Sequence, residues 1–269
     1  MPLAVCATPI GNLEDVTLRV LRELGEADVV LCEDTRHTKG LLERHGIRAR
    51  LLSYHRHNEA ARVQELLPRL ETGERIALVS DAGLPGINDP GARLVVAALE
   101  AGVAVTVLPG PSAVETALVA SGLSGERFQF LGYLPRGAKA LGDVWDELSR
   151  SEHPAVVFES PKRLPATLRS LAAALPERQV AVCRELTKRF EEVVRGTAGE
   201  LAERFVEAPK GEVTIVIGGG APEVDEAAAL AAVRELVSAG VPRRQAADVV
   251  ARLLSLSRNT LYRKSLQSD

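Results

Sequence analysis

Short apolar runs of strand length recur along the first 120 residues: Leu3–Ala7 (LAVCA), Asp28–Cys32 (DVVLC), Arg50–Ser53 (RLLS), Arg75–Val79 (RIALV) and Val103–Leu108 (VAVTVL). Between them lie segments with helical spacing: Glu14–Leu24, Thr38–His45, Asn58–Thr72 and Pro90–Ala101. In the third, Val63, Leu66, Leu67 and Leu70 form an apolar stripe, and Ala61, Gln64, Glu65 and Arg69 the wet face. Strands alternating with helices across short connections predict a mainly parallel sheet covered on both faces. PGPS at Pro109–Ser112 then opens a further helix, with proline near its first turn.

After Gly122–Gly125 the pattern changes. Strands are predicted at Phe128–Leu131, Ala155–Phe158, Val180–Arg184, Phe190–Arg195 and Glu212–Ile217. The third and fourth lack a helix-length spacer, so they read as a hairpin, and the second sheet is expected to be mixed. From Ala221 onward no strand pattern remains. Ala227–Ala239 reads as a helix, and VPRRQAADVVARLL followed by SLSRNTLYRKSL as helix, turn, helix. The predicted organisation is an N-terminal α/β domain over 1–120, a C-terminal α/β domain over 121–220 and a helical tail over 221–269.

Apolar residues make up 46% of the 269-residue chain, enough for a sizeable core. The net charge of −3 gives no whole-molecule attraction to nucleic acid, so any such site must be local. One local excess exists: Val241–Asp269 holds six basic and two acidic residues. That tail can read a DNA groove through Ser257–Tyr262, dock on structured RNA, or cap the fold as a small helical unit. Aromatics are only 3%, which argues against base-stacking platforms. Cys6, Cys32 and Cys183 form no CxxC pair and sit in apolar runs, so they read as reduced core thiols of a cytoplasmic protein. The start lacks a signal-peptide pattern, and no run reaches the length of a membrane span.

Candidate chemistry gathers in the connections after the strands, where open α/β sheets bind ligands. TPIGN (Thr8–Asn12), the loop Ser80–Gly91 and PGPSA (Pro109–Ala113) are rich in glycine and proline, which let backbone approach a ligand closely. Asp81 directly follows an apolar strand, where a carboxylate can accept a hydrogen bond from a hydroxyl or an ammonium. Ser112 can cap its helix or bond a ligand. Ordinary turn chemistry in a packed domain is the competing reading. A second, polar cluster comprises CEDTRHTKG (Cys32–Gly40) and SYHRHNE (Ser53–Glu59). Its Arg36 and Lys39 suit phosphate, and Glu33, His37, His55 and Glu59 suit proton transfer, with Asn58 beside them. The competing reading is a solvated, charged helix start. No HExxH and no further cysteine in this cluster supports zinc, so no metal is expected. His45 is expected to complement a helix dipole, Trp145 to pack and His153 to lie at the surface. GxGxxG, GxxxxGK[ST] and GxSxG are absent, which excludes the ordinary dinucleotide, P-loop and hydrolase-elbow signatures.

The motifs ATPIGNLEDVTLR, CEDTRHTKGLL, YHRHNE, LVSDAGLPGINDPG, LPGPSA, FLGYLPR, VFESPKRL, CRELTK and GEVTIVI occur in this order. Together they resemble the ribosomal-RNA-modifying branch of the tetrapyrrole methylase superfamily, over essentially the full length. SDAGxP with TPIGN and EDTR separates this branch from the cobalamin and sirohaem enzymes. Leu84 stands where that branch usually has threonine, and Asn88 where it has serine. The resemblance implies two α/β domains binding S-adenosylmethionine in the cleft between them. It also implies transfer of the methyl to the ribose 2′-oxygen of a cytidine in the decoding region of 16S rRNA in the small ribosomal subunit, and a homodimer. By carry-over, Ser80, Asp81 and Leu84 line the donor, with Pro9 below and Ser112 and Ala113 beside it; Phe158 or Glu159, and Leu186, contact the adenosine. Arg36 and Lys39 are expected to hold RNA phosphates, and Glu33, His37, His55 or Glu59 to take the proton. The competing functions are a tetrapyrrole C-methylase of the same fold and a ligand-sensing regulator that reads DNA through its tail.

Overall fold

The computed structural model describes residues 2–220, 226–254 and 256–266. Five short strands, β1 (Leu3–Cys6), β2 (Val29–Cys32), β3 (Leu51–Ser53), β4 (Ile76–Val79) and β5 (Val105–Leu108), form one sheet in the order β3-β2-β4-β1-β5. Every pairing is parallel. β1, β2 and β4 are buried along their whole length, as the unbroken apolar runs require. Helices α1 (Leu18–Glu26) and α2 (Thr35–Arg44) cover one face, where Val20, Leu24, Leu41 and Leu42 pack on Ala4, Cys6, Val30 and Val79. Helices α3 (Glu59–Glu71) and α4 (Ala92–Glu100) cover the other, where Leu66, Leu70, Leu94 and Ala98 meet Leu3, Val5, Leu31 and Leu78.

The second sheet comprises β6 (Gln129–Tyr133), β7 (Ala155–Glu159), β8 (Gln179–Arg184), β9 (Glu192–Thr197) and β10 (Val213–Ile217), ordered β6-β7-β10-β8-β9. β6 and β7 run parallel and the other pairs antiparallel, so the sheet is mixed as expected. Helices α6 (Ala138–Ser149), α7 (Leu164–Ala174) and α8 (Ala198–Arg204) cover one face, with Trp145 buried and its indole N–H donating to Ser170. The opposite face receives α5 (Ala113–Ser121), which leaves β5 and lays Val114, Ala117 and Leu118 against Val156, Ala181, Cys183 and Val216. One helix thus joins both sheets. All three cysteines are free and buried. Burial pushes the Cys6 thiol up to about 12 and that of Cys183 to about 11, which removes thiolate reactivity.

Three expected elements are displaced for local reasons. Glu14–Leu24 is not one helix: Asn12 caps a 3-10 turn at Leu13–Asp15, Val16 is extended, and Thr17 caps α1 by accepting from the Val20 N–H. α2 starts at Thr35 rather than Thr38, because Asp34 accepts from the Arg36 N–H and serves as its cap. The β9 strand begins at Glu192 rather than Phe190; Glu185 and Thr187 adopt positive φ, and the wider turn they form leaves Phe190 exposed.

The two sheets belong to one compact unit, which runs to Ser149 and resumes over His153–Gly219. A second unit holds Arg150–Glu152 and the chain from Gly220. Its helices α9 (Glu226–Ser238), α10 (Arg243–Leu253) and α11 (Arg258–Leu266) share a core of Ala229, Val233, Ala246, Val250 and Leu261. Residues 221–225, Ser255 and residues 267–269, which the sequence reading also assigns to the tail, lie outside the described residues. Among the described residues no helix is long and apolar enough to cross a membrane.

Candidate functional site

Parallel pairing puts the carboxyl ends of β1 to β5 on one edge. Chain order runs from β1 outward through β2 to β3, then from β4 across β1 to β5, so the order reverses at β1 and β4. Such a reversal opens a crevice. Here the crevice is a cleft of about 640 Å³ between that edge, the start of α5 and the second sheet. Its walls include Ile10, Glu33, Asp81, Leu84, Asn88, Asp89, Ser112, Ala113, Phe158, Glu159 and Leu186.

The loop Ser80–Gly91 forms the floor and is fixed at several points. Thr8 and Gly83 exchange backbone hydrogen bonds of 2.8 and 3.0 Å, and the Thr8 hydroxyl donates to the Ser80 carbonyl at 2.9 Å. The Ser80 hydroxyl donates to the Ala82 and Gly83 carbonyls, so Ser80 shapes the loop from within and does not line the cleft. Pro9 is likewise buried and off the lining. At the far end the Gly91 N–H donates to Glu59 at 3.0 Å. Between these ends Asn88 sits at φ 64, its carbonyl accepting from Arg56 and its side chain packed on Gly132 of β6. Gly132 has φ +66 at an irregularity in β6, and a Cβ there would lie 2.9 Å from Asn88 Oδ1. Only glycine lets the two lobes approach at this point.

Most of the other sequence candidates on the cleft present partly engaged groups. Asp81 Oδ1 accepts from the Asp34 N–H at 3.0 Å, which ties the start of α2 to the floor. Ser112 precedes α5 but bonds Glu115 instead of capping the helix, and Ser112, Ala113 and Val114 at this uncapped start line the cleft. The Glu159 carboxylate is buried and satisfied by the Ser160 N–H, the Thr167 hydroxyl and Arg163, so it holds β7 to α7. Phe158 stacks edge-on against Phe130 and Tyr133, with ring centroids 5.1 and 5.7 Å apart. Leu186 is buried between the positive-φ residues Glu185 and Thr187, and the Thr187 hydroxyl accepts from the Asn12 N–H.

The polar cluster divides. Glu33 is its one candidate residue on the cleft wall. Arg36, His37 and Lys39 project from the first turns of α2, exposed; Arg36 pairs with Asp34 at 3.0 Å and Lys39 with Glu43 at 3.5 Å. Arg36 holds the Asp34 carboxyl down at about 2. Asn58 closes its own turn, accepting from the His55 N–H and donating to the Ser53 carbonyl. His55 Nδ1 is buried with no hydrogen-bond partner among the described residues, and its ring lies edge-on to His57. Glu59 accepts from the Tyr54 hydroxyl and the Gly91 N–H, both at 3.0 Å. Away from the site, His45 bonds the Leu13 carbonyl rather than merely facing a helix end, and His153 is half-buried. No group of three or more metal-ligating side chains occurs among the described residues.

Sequence reasoning passed over Asp89, Arg56 and the wall of Phe128, Phe130 and Tyr133, and gave Asn88 no role; all of them meet at the cleft or its rim. Burial first, then the negative charge of Glu33, pushes the Asp89 carboxyl up to about 6; Asp81 adds to this and Arg56 opposes it. The DP pair closing the loop was the available signal.

Two outcomes follow for stability. Glu59→Ala leaves the Tyr54 hydroxyl and the Gly91 N–H unpaired and is expected to cost about 1–3 kcal/mol in urea unfolding. Asp89 is raised in the folded state, so its stabilising contribution is present below the ordinary carboxylate range and is lost as pH rises through about 6. Asp89→Asn is therefore expected to melt above wild type near pH 8 and level with it near pH 3, where both side chains are neutral.

Residues 2–202 match the family model described as Tetrapyrrole (Corrin/Porphyrin) Methylases. A ribosomal RNA small subunit methyltransferase I of Halalkalibacterium halodurans is 46% identical over 224 residues, covering 83% of this chain and 78% of that one. A protein of the same name from Synechocystis is 42% identical over 273 residues, 99% of this chain and 98% of that one. Among solved structures, uroporphyrin-III C-methyltransferase from Thermus thermophilus, complexed with S-adenosylhomocysteine, shares the fold with a TM-score of 0.55. It is 22% identical and covers 80% of this chain and 96% of that one.

Proposed function

The chain belongs to the tetrapyrrole (corrin/porphyrin) methylase family, a membership that makes S-adenosylmethionine its methyl donor, and from that premise we propose that it methylates the ribose 2′-hydroxyl of a cytidine in the decoding region of 16S rRNA. The observation that carries the donor half is the cleft at the reversal of strand order. It combines an uncapped helix start for a carboxylate, carboxylates for cationic groups, and Leu84, Phe158 and Leu186 for an apolar ring. Those residues fit a donor that carries all three kinds of group. In this reading the lobes are residues 1–120 and 121–220, with 221–269 as the tail.

When bound, S-adenosylmethionine supplies a methyl group on a positively charged sulfur that leaves as a neutral thioether. The protein's own work is alignment. Asp81 and the first turn of α5 hold the amino-acid end, and Phe158, Leu186 and the backbone of Glu159 hold the adenosine. Pro9 and Ser80 act indirectly, by fixing the loops that carry these contacts. Alignment of this kind is worth several kcal/mol of barrier.

The acceptor half is supported by the names of relatives 41–46% identical to this chain and by the face of α2 beside Glu33. Arg36 and Lys39 are held only by exposed ion pairs, so exchanging Asp34 and Glu43 for phosphates costs little. Glu33 brings a carboxylate to the wall where the acceptor hydroxyl must approach. His37 and His55 stay candidates for the same proton, and Glu59 is the weakest because two donors already hold it. Val96, Leu99 and Val107, exposed on α4 and the edge strand β5, support the homodimer.

One observation favours a second reading, C-methylation of a tetrapyrrole: Phe128, Phe130, Tyr133 and Phe158 form an aromatic wall. Labelled donor offered to undermethylated small subunits and to a precorrin separates the two. Label in a 2′-O-methylcytidine of 16S rRNA is the expected result, and label only in the precorrin would reverse the assignment. Replacing Arg36 and Lys39 by alanine together is expected to weaken subunit binding and lower the slope of log affinity against log salt by about one to two.

A further inference from the structure

Asp89 and Glu33 stand apart from the other carboxylates of the cleft: both line it, and neither accepts a hydrogen bond among the described residues. Asp34, Glu59, Asp81 and Glu159 each accept at least one hydrogen bond from backbone or side chain. Asp89 lines the cleft, is largely buried, and accepts none among the described residues. Its backbone is nevertheless among the best fixed in the loop. Asn88 before it is held by Arg56 through its carbonyl and packs on Gly132, Pro90 follows it, and Gly91 is tied to Glu59. A rigidly placed carboxylate with vacant lone pairs, facing a cleft, is poorly explained by stability, because its ionised form is left without donors. It is well explained by a proton to be taken.

We propose that Asp89 is the general base that removes the proton from the acceptor ribose hydroxyl. The inference rests on the 2′-O-methylation reading above and assigns the proton to a residue outside the four that the sequence suggests. As the hydroxyl O–H bond breaks, its proton passes to the Asp89 carboxylate and the oxygen forms a bond to the methyl carbon. The carbon–sulfur bond breaks with its electron pair on sulfur, which becomes a neutral thioether, and Asp89 later returns the proton to water. The groups around Asp89 set its basicity. Glu33 beyond β2 and Asp81 beyond β4 press negative charge on it, Arg56 beyond β3 counters them, and Tyr133 faces it from β6 with Glu159 and Glu212 behind. Burial and these neighbours bring it to about 6, which is close to a working pH where a base is both ionised and effective. Glu33 then acts on the proton through Asp89, as a positioning charge.

The test uses the full chain with undermethylated small ribosomal subunits and labelled S-adenosylmethionine. Wild-type kcat is expected to rise with pH through an apparent pKa near 6. Asp89→Asn is expected to lower kcat about 10²–10⁴-fold, with KM for both substrates within about threefold and no such pH limb. Asp89→Glu is expected to recover part of the rate with a shifted limb, which a merely structural role would not produce. Glu33→Gln, by relieving the pressure on Asp89, is expected to move the limb to lower pH. Should wild type make 2′-O-methylcytidine while folded Asp89→Asn keeps its rate within about threefold, Asp89 is not the base and the 2′-O reading stands. If Asp89→Asn does not fold, an Asp89→Glu enzyme with the wild-type limb overturns the assignment equally. No 2′-O-methylcytidine from wild type would remove both readings together.

Discussion

The loop between β4 and α4 is held to four different parts of the chain, and the rest of the site takes its shape from those anchors. Thr8 fixes it to the end of β1, Glu59 to α3, Arg56 to the turn after β3, and Gly132 to the edge of the second sheet. Asp81 adds a tie in the other direction, from the loop to the start of α2. Each anchor is modest, about 1 kcal/mol for an ordinary hydrogen bond. Their value lies in over-determination: a segment of three glycines, two prolines and a positive-φ asparagine could take many shapes, and the anchors select one. The loop then serves as floor for a ligand on one side and as a joint between two sheets on the other.

That joint sits over an electrostatic conflict. Glu33, Asp81 and Asp89 converge on one cleft, and Arg56 is the cation set against them around Asp89. Three nearby carboxylates repel one another unless a cation enters or a proton is kept. With the donor bound as proposed, its sulfonium and ammonium would supply the first remedy, and the raised Asp89 supplies the second. The protein thus gives up some stability above about pH 6 to hold a strained charge arrangement, a trade found where chemistry needs it. The α5 helix, continuous with β5 and buried against the second sheet, ties the two halves together.

Much of the architecture was legible in the pattern of apolar runs. β1, β2 and β4 read correctly because buried parallel strands leave nothing polar to confuse the period. The hairpin of β8 and β9 was visible as two runs without a helix between them. Caps decided the two helix misses: the side chains of Asn12, Thr17 and Asp34 move helix starts by bonding one N–H each, a local event that periodicity averages away. The gathering of those loops on one edge of the sheet was legible, since parallel pairing forces them together. Which loop residues face inward was not. Ser80 and Glu59 look like ligands in sequence and turn out to fasten the loop, whereas Asp89 looks like a turn residue and faces the cleft. The aromatic wall escaped notice for a different reason: a low overall aromatic content says nothing about Phe128, Phe130, Tyr133 and Phe158 being gathered on one side by β6 and β7.

The central claim is that the cleft at the β1–β4 reversal, with Asp81 on its wall, holds the methyl donor. Titration calorimetry of the full chain with S-adenosylmethionine, run beside Asp81→Ala, addresses it most directly. The account predicts binding in the micromolar range by wild type, weakened at least tenfold (about 1.4 kcal/mol) by the substitution, with both proteins folded. Equal affinity in the two proteins, or no binding by folded wild type, would contradict it.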